Sequence, residues 1–146
     1  MEEGKLSKKD IKIVIAAHKP YRMPEDTMYV PLHVGAEGKK NPDGTPPDLG
    51  YQKDNEGDNI SAKNPYYCEL TGIYYAWKNI PAEYLGLVHY RRYFKGKNKS
   101  KDPFACIVTE PEMEKIFETH RIVVPKKRKY YIETLYSHYA LSLIHI

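Results

Sequence analysis

Two short apolar runs constrain most strongly what this chain of 146 residues can fold into. The β-branched run from Ile11 to Ala17 and the run from Tyr84 to His89 both have the length and composition of buried strands. Between them, apolar residues recur at helical spacing from position 64 to about position 79. Strands that alternate with helices predict an α/β fold with a largely parallel sheet, in one domain or a large part of one.

The segment between these runs predicts one helix. Asn64 suits the N-cap and Pro65 the first helical position, where its missing amide costs nothing. The helix should end in 79–82. We expect its core-facing stripe to consist of Tyr66, Leu70, Ile73, Tyr74 and Trp77.

Weaker patterns predict further elements. A strand is predicted from Tyr29 to Val34, and Pro31 favours a position at the edge of the sheet for it. Segment 35–57 is predicted to be a long surface loop, because it is rich in Gly, Pro, Asn and Asp. A capping box from Thr109 to Glu112 begins a helix that ends near position 118. The remaining predictions are strands over 104–108 and 121–125, a basic loop over 95–101 and a helix over 131–140.

The charge and the cysteines limit the protein's class only broadly. A net charge of +4 suits phosphate-bearing ligands, nucleic acid or an anionic membrane face, and does not separate them. Cys68 and Cys106 form neither a disulfide framework nor a zinc-ligand spacing. The N-terminus has no apolar signal, and the run at 11–17 is too short to span a bilayer. We therefore expect a cytoplasmic protein with reduced thiols.

The two ends of the chain are interpreted separately. Residues 1–10 are expected to be a disordered extension. The last six residues, 141–146, can be encoded as CTG TCT CTT ATA CAC ATC, which matches a transposon end used in sequencing libraries. We interpret them as adapter read-through rather than native protein, with an ordinary amphipathic end as the alternative. Residues 11–140 would then be the N-terminal part of a truncated domain, and independent nucleotide reads across the junction would test this.

The first candidate site begins at the last residue of the second apolar run. His89, Arg91 and Arg92 stand where open α/β sheets bind ligands, at the carboxyl ends of their strands. A guanidinium matches phosphate or carboxylate with two parallel hydrogen bonds, which indicates an anion. His89 could be a general base, a hydrogen-bonding ligand or a buried histidine with an internal partner. A solvated basic loop is the alternative for the whole segment.

A second candidate precedes the predicted helix, where free amides and the helix dipole favour an anion. Its residues are Asp58, Asn59, Ser61 and Lys63, and capping plus solvated polar residues is the alternative. Three carboxylates between positions 54 and 58 could ligate Mg²⁺ or Mn²⁺, although their spacing is not that of an EF-hand and a solvated acidic loop is favoured. The basic stretches 95–101 and 126–129 could bind nucleic acid or a membrane, or be a solvated face.

In order along the chain, several blocks together resemble one family. They are Lys12–Lys19, Asp58–Asn64, Tyr67–Thr71, Tyr75–Asn79, Gly86–Phe94 and Pro125–Tyr131. Over about residues 11–140 the chain resembles the domain of unknown function 4422 family, which is found in bacterial capsular and exopolysaccharide gene clusters and is similar to glycosyltransferases. Typical members continue well beyond this point, which agrees with truncation. A truncated chain need not be active itself.

The resemblance implies a GT-A-like (Rossmann-like) domain with a mostly parallel sheet. Such a protein transfers a sugar from a nucleotide-sugar donor to a glycan or lipid-linked glycan acceptor. Nucleic acid is not expected as a partner, and peripheral contact with the inner membrane face is expected. A non-catalytic module that binds polysaccharide or nucleic acid is the alternative.

The resemblance also suggests where the donor would bind. Its nucleotide-binding loop would contain His18, Lys19 and Tyr21, and the group Asp58, Asn59, Ser61 and Lys63 would face the donor sugar or pyrophosphate. His89, Arg91 and Arg92 would form the catalytic group. We expect Arg91 or Arg92 to stabilise the leaving diphosphate, in whole or in part replacing a metal. No metal ligand set is predicted, and dependence on a divalent metal is left open.

Overall fold

A computed structural model of the protein describes residues 8–126. Four parallel strands form one sheet in the order β3-β2-β1-β4. Their bounds are β1 Ile11–Ala17, β2 Tyr29–His33, β3 Gln52–Lys53 and β4 Tyr84–His89. The predicted largely parallel sheet is confirmed, and so are the bounds of β1 and β4. The predicted helix over 131–140, most of the basic stretch 126–129 and the tail lie outside the described residues.

β1 lies in the middle of the sheet and is apolar on both faces. Ile11, Ile13 and Ile15 point to one face, where they pack with Val88 and Met113. On the other face, Val14 and Ala16 pack with Leu32, Tyr75 and Ala76. Pro31 is tolerated in β2 because β3 pairs only with Leu32 and His33, so that at Pro31 the strand is paired on the β1 side alone.

The predicted single helix is two helices, α1 (Asn64–Tyr67) and α2 (Leu70–Asn79), which are separated at Cys68 with φ 48°. Pro65 lies in the first turn as predicted. Asn64 is not the N-cap, since it is the first helical residue; its amide donates to Cys68 O at 2.8 Å and to Thr71 Oγ1 at 3.0 Å.

The predicted core-facing stripe is wrong for most of its residues, although Ile73 is partly buried and packs against the core. Tyr66, Leu70 and Trp77 are 86%, 56% and 64% exposed, and the buried face of α2 consists of Thr71, Gly72, Tyr75 and Ala76. The reason is close packing: a Cβ at Gly72 would lie 2.8 Å from Val34 Cγ1. Small residues let the helix approach the sheet, whereas the large rings on its other side cannot fit there.

Further along the chain, the capping box is confirmed. Helix α3 runs from Glu110 to Phe117, and Thr109 N donates to Glu112 Oε2 at 2.9 Å. The strand predicted over 104–108 is wrong, because Asp102 and Pro103 start a short 3₁₀ turn over Pro103–Cys106, in which Asp102 accepts a bond from Phe104 N.

Two other predictions need correction. Segment 121–125 is not a strand in the described part of the chain, and Ile122 and Val124 are exposed there. The predicted surface loop 35–57 contains β3, and Asp54 directly after that strand is fully buried. Among the described residues, the helices are all too short or too polar to cross a membrane.

Candidate functional site

The carboxyl ends of all four strands meet at one edge of the sheet because the strands are parallel. Two groups of side chains form there. The first surrounds Tyr90, directly after β4, and the second surrounds Asp54, directly after β3. We call them the Tyr90 cluster and the Asp54 cluster.

The Tyr90 cluster brings together five of the ten site residues predicted from the sequence. The Tyr90 ring is only 1% exposed. Its centroid lies 5.3 Å from the ring of His18, 5.2 Å from that of Tyr21 and 4.2 Å from that of His89. Two cations lie near the same ring, with Lys19 Nζ at 5.7 Å and Arg91 Cζ at 5.2 Å from its centroid. Cation–π attraction therefore helps to hold both side chains at this edge.

Local pairing explains why Tyr90 occupies this position. Tyr90 N donates to Ala16 O at 3.2 Å, which continues the β1–β4 pairing beyond His89. Arg92 N then donates to His89 O at 2.8 Å and closes a tight turn with Arg91 inside it. On the other side, Tyr51 Oη donates to Tyr21 O at 2.8 Å and accepts from Tyr21 N at 3.0 Å, which fixes the loop after β1.

Charge in the Tyr90 cluster is predominantly positive. Burial lowers the pKa of His18, and the nearby cations Lys39, Lys19 and Arg91 lower it further, against a smaller opposing effect of Glu69. Within residues 8–126 neither Lys19 nor Arg91 has a carboxylate at ion-pair distance. These cations are therefore available to an anionic ligand.

His89 has a defined set of contacts. Its Nδ1 accepts a hydrogen bond from Arg91 N at 3.3 Å, and its Nε2 lies 3.9 Å from Glu69 Oε1. Burial lowers its pKa, Glu69 opposes this, and Arg91 and Arg92 lower the pKa further. The imidazole is therefore neutral at neutral pH, with its proton on Nε2 and facing Glu69.

The Asp54 cluster is a closed set of hydrogen bonds. The Asp54 carboxylate accepts bonds from Gly35 N at 2.8 Å, Ala36 N at 3.0 Å and Thr71 Oγ1 at 3.0 Å, as well as from the hydroxyl of Ser61. It thereby ties the segment after β2 to the start of α2. Sequence reasoning missed this role, since a two-residue strand has no pattern and an aspartate among Asn, Glu and Gly resembles a solvated loop.

The donor-binding residues predicted near α1 lie apart from Tyr90. Ser61 is buried, donates to Asp54 and accepts from Glu37 N at 3.1 Å. Asn59 Oδ1 accepts from Ser61 N at 3.1 Å, and Asp58 lies 3.7 Å from Lys78. Lys63 is exposed. No hydrogen bond or ion pair among the described residues joins these four to the Tyr90 cluster, and their donor role stays a prediction.

His33 is a further polar residue at this edge that sequence reasoning did not select. It ends β2, is buried, and its Nδ1 has no hydrogen-bond partner among the described residues. Burial lowers its pKa, and Lys39, Lys53 and His18 add to this effect, whereas Asp54 opposes it. A histidine inside a strand cannot be told from an ordinary core residue by pattern alone.

Metal ligands are not grouped in this part of the protein. Residues 8–126 contain no group of three or more His, Cys, Asp or Glu side chains that could hold a metal ion. Asp54, a fully buried carboxylate at this edge, already accepts four hydrogen bonds. Among residues 8–126, therefore, no set of donor side chains fits a metal ion.

Comparison with known proteins relates the chain to one family and one solved structure. The sequence model of the family described as "Domain of unknown function (DUF4422)" matches residues 12–145. A solved structure described as the apo form of WbbM, a bifunctional glycosyltransferase, is 40% identical with a TM-score of 0.53. The match covers 64% of this chain and 16% of the WbbM chain. No curated protein matches.

Proposed function

The chain belongs to the DUF4422 family, and we propose that it is a glycosyltransferase module whose Tyr90 cluster binds a nucleotide-sugar donor. Its similarity to a bifunctional glycosyltransferase supports the reaction class. The observation that carries the proposal is the convergence of Lys19 and Arg91 on the Tyr90 ring at the carboxyl edge of the sheet. Loops after parallel strands are where α/β folds bind ligands of this kind.

The chemistry of the cluster suits a diphosphate. Arg91 can form two parallel hydrogen bonds to phosphate oxygens, and Lys19 adds a compact positive charge. Because the Tyr90 ring already holds both side chains, less conformational freedom is lost on binding.

In the proposed transfer, the bond between the anomeric carbon and the donor diphosphate breaks, and the diphosphate leaves with the bonding electron pair. An acceptor hydroxyl forms the new glycosidic bond and loses its proton. Arg91 would stabilise the negative charge on the leaving diphosphate. Since His89 Nδ1 is bonded to Arg91 N, we assign His89 a positioning role for Arg91. His18, which is exposed, would accept the proton of the acceptor hydroxyl, because Nδ1 of His89 already accepts a bond from Arg91 N and its Nε2 faces Glu69.

The test is a thermal-shift screen of the chain against a panel of uridine, guanosine and thymidine diphosphate sugars, followed by a donor-hydrolysis assay. Arg91→Ala should weaken binding of the preferred donor about tenfold or more, since a charge-assisted hydrogen bond contributes roughly 1.5–3 kcal/mol. Arg121→Ala is the matched control, since Arg121 is also exposed but lies outside the cluster. Equal affinity in the two variants would contradict the proposal.

The biological setting is part of the same proposal. A role in bacterial capsular or exopolysaccharide biosynthesis, a glycan or lipid-linked glycan acceptor, and peripheral contact with the inner membrane are inferred from the family resemblance. A cytoplasmic location is proposed together with them. Sugar transfer would distinguish this function from a non-catalytic binding module, because such a module binds sugar or nucleic acid without turnover.

A further inference from the structure

Within residues 8–126, the long connection between β2 and β3 contains a segment that is attached only at its ends. We call residues 38–50 the flap. In the described part of the chain, each hydrogen bond of the flap joins it to itself or to the nearby Ala36. In that part, too, its residues belong to neither apolar core cluster and make no ion pair. A segment with so few contacts changes its position at a low cost in free energy.

Both ends of the flap are fixed at the carboxyl edge of the sheet. On one side, Glu37 N donates to Ser61 Oγ at 3.1 Å, and Ser61 belongs to the Asp54 cluster. On the other side, the Tyr51 hydroxyl holds the backbone of Tyr21, whose ring belongs to the Tyr90 cluster. The flap therefore starts at one cluster and ends beside the other.

Glycines stand at both junctions between the fixed ends and the flap. Gly38 has φ 71° and Gly50 has φ 70°, a backbone conformation that other residues disfavour. A Cβ at either position would meet no atom within 4 Å beyond its chain neighbours, so that close packing does not require a glycine there. Between them, Asn41 N donates to Thr45 O at 2.7 Å and closes the tip on itself. A compact tip between two permissive points can move as a unit.

Lys39, directly after Gly38, brings a positive charge to this edge. After burial, the Lys39 ammonium is the strongest of the causes that lower the pKa of His18 and of His33. Like Lys19 and Arg91, it has no carboxylate at ion-pair distance among residues 8–126. Cations gathered in one place repel one another, and a bound anion relieves that repulsion.

We propose that the flap closes over the donor bound in the Tyr90 cluster and brings Lys39 onto its diphosphate; this inference rests on the proposed function. Closure is favoured because the contact between Lys39 and phosphate forms only in the closed state, so that the donor binds this state more tightly. The same movement excludes water from the donor and protects it from hydrolysis.

Trypsin tests the movement, because Lys39 and Lys40 are exposed cleavage points within the flap. The probes are uridine, guanosine and thymidine diphosphates at saturation, with the three uncharged nucleosides for comparison. A diphosphate that binds in a thermal-shift titration should slow cleavage after Lys40 about fivefold or more, since cleavage follows the population of the open form. Cleavage after the exposed Lys99, in the basic loop 95–101, is the internal control and should not change.

Lys39→Ala tests the role of the lysine itself, and the cleavage point after Lys40 remains in this variant. It should bind the diphosphate about three- to tenfold more weakly and lose most of the protection, because a charge-assisted hydrogen bond of the closed state is removed. Lys99→Ala, which removes the same charge outside the flap, is the matched control and should bind like the unchanged protein.

Several outcomes would overturn the inference. These are protection by the nucleosides as strong as that by the diphosphates, equal slowing of cleavage after Lys40 and Lys99, or equal affinity in Lys39→Ala and Lys99→Ala. Binding of a diphosphate without any change in cleavage would reject the flap and leave the proposed function standing. If neither a diphosphate nor a nucleotide sugar shifts the melting temperature, both proposals fail.

Discussion

The Asp54 cluster and the Tyr90 cluster stand at the same edge of the sheet but use their polar groups in opposite ways. Asp54 is buried, and its carboxylate accepts four hydrogen bonds from within the protein. In the Tyr90 cluster it is the ring that is buried, whereas the charges of Lys19 and Arg91 are exposed and have no carboxylate partner among the described residues.

This difference separates groups that hold the fold from groups that can bind a ligand. A buried carboxylate is tolerated only when its hydrogen bonds are satisfied, and it then has little left for a ligand. Cations that are held in place but not neutralised retain their capacity for an anion. A position at the carboxyl edge of a sheet is therefore not sufficient to identify a site.

The largest effect should come from breaking the Asp54 cluster. Asp54→Asn puts an amide N–H group among four donors, and we expect a loss of about 3 kcal/mol in the free energy of unfolding. Asp58→Asn, four residues away, removes a surface ion pair and should cost less than about 1 kcal/mol. Urea denaturation of both variants measures the difference. A loss below 1 kcal/mol for Asp54→Asn would show that the cluster does not hold the fold.

A smaller effect on stability, combined with an effect on binding, is expected at Tyr90. Tyr90→Leu keeps an apolar side chain but removes the ring that holds Lys19 and Arg91, so that it should cost about 1–2 kcal/mol of stability and weaken donor binding about tenfold. Tyr84→Leu is the control. The Tyr84 ring stacks on that of Phe117, with the two centroids 4.0 Å apart, and it lies at the other end of β4 from the Tyr90 cluster. A similar loss of donor affinity in both variants would mean that Tyr90 has no special role.

The smallest effect concerns pH. The pKa values of His18, His33 and His89 are lower in the folded protein than in the unfolded chain. Below about pH 6.5 the unfolded chain therefore binds more protons than the folded protein. The stability contributed by the neutral histidines is present above that pH and is lost as the pH falls through the lowered values.

Donor affinity should change in the opposite direction, because a bound diphosphate favours protonated His18. We expect it to rise about two- to fivefold from pH 7.5 to 5.5 in calorimetric titrations. His18→Gln should abolish this rise, whereas His33→Gln should reduce the pH dependence of stability. A rise that survives in His18→Gln would show that another group titrates.

The sequence predicted those parts of the fold whose signals are local. β1 and β4 are short apolar runs, and the start of α3 is a capping box, so that each could be located without knowledge of its neighbours. The orientation of α2 could not be predicted. Periodicity defines two sides of a helix, but close contact between Gly72 and Val34 decides which side faces the sheet.

The candidate site follows the same division. His18 and Lys19 follow β1, His89 is the last residue of β4 and Arg91 comes two residues later. Because β1 and β4 are neighbours in the sheet, these four residues meet at its edge. The residues before α1 were selected as a helix N-terminus, but α1 has only four residues and Ser61 bonds to Asp54 instead. That bond depends on β3, which is two residues long and has no sequence signal.

The central position of β1 also has a consequence for how the protein is made. β1 leaves the ribosome before β2 and β4, the strands that pair with its two sides, and β4 follows about 70 residues later. At about 5–20 residues per second, the β4 side of this apolar strand stays unpaired for roughly 4–15 s during synthesis. Such an unpaired edge can pair with another chain. We therefore expect nascent chains that end before residue 84 to depend on chaperones and to aggregate without them.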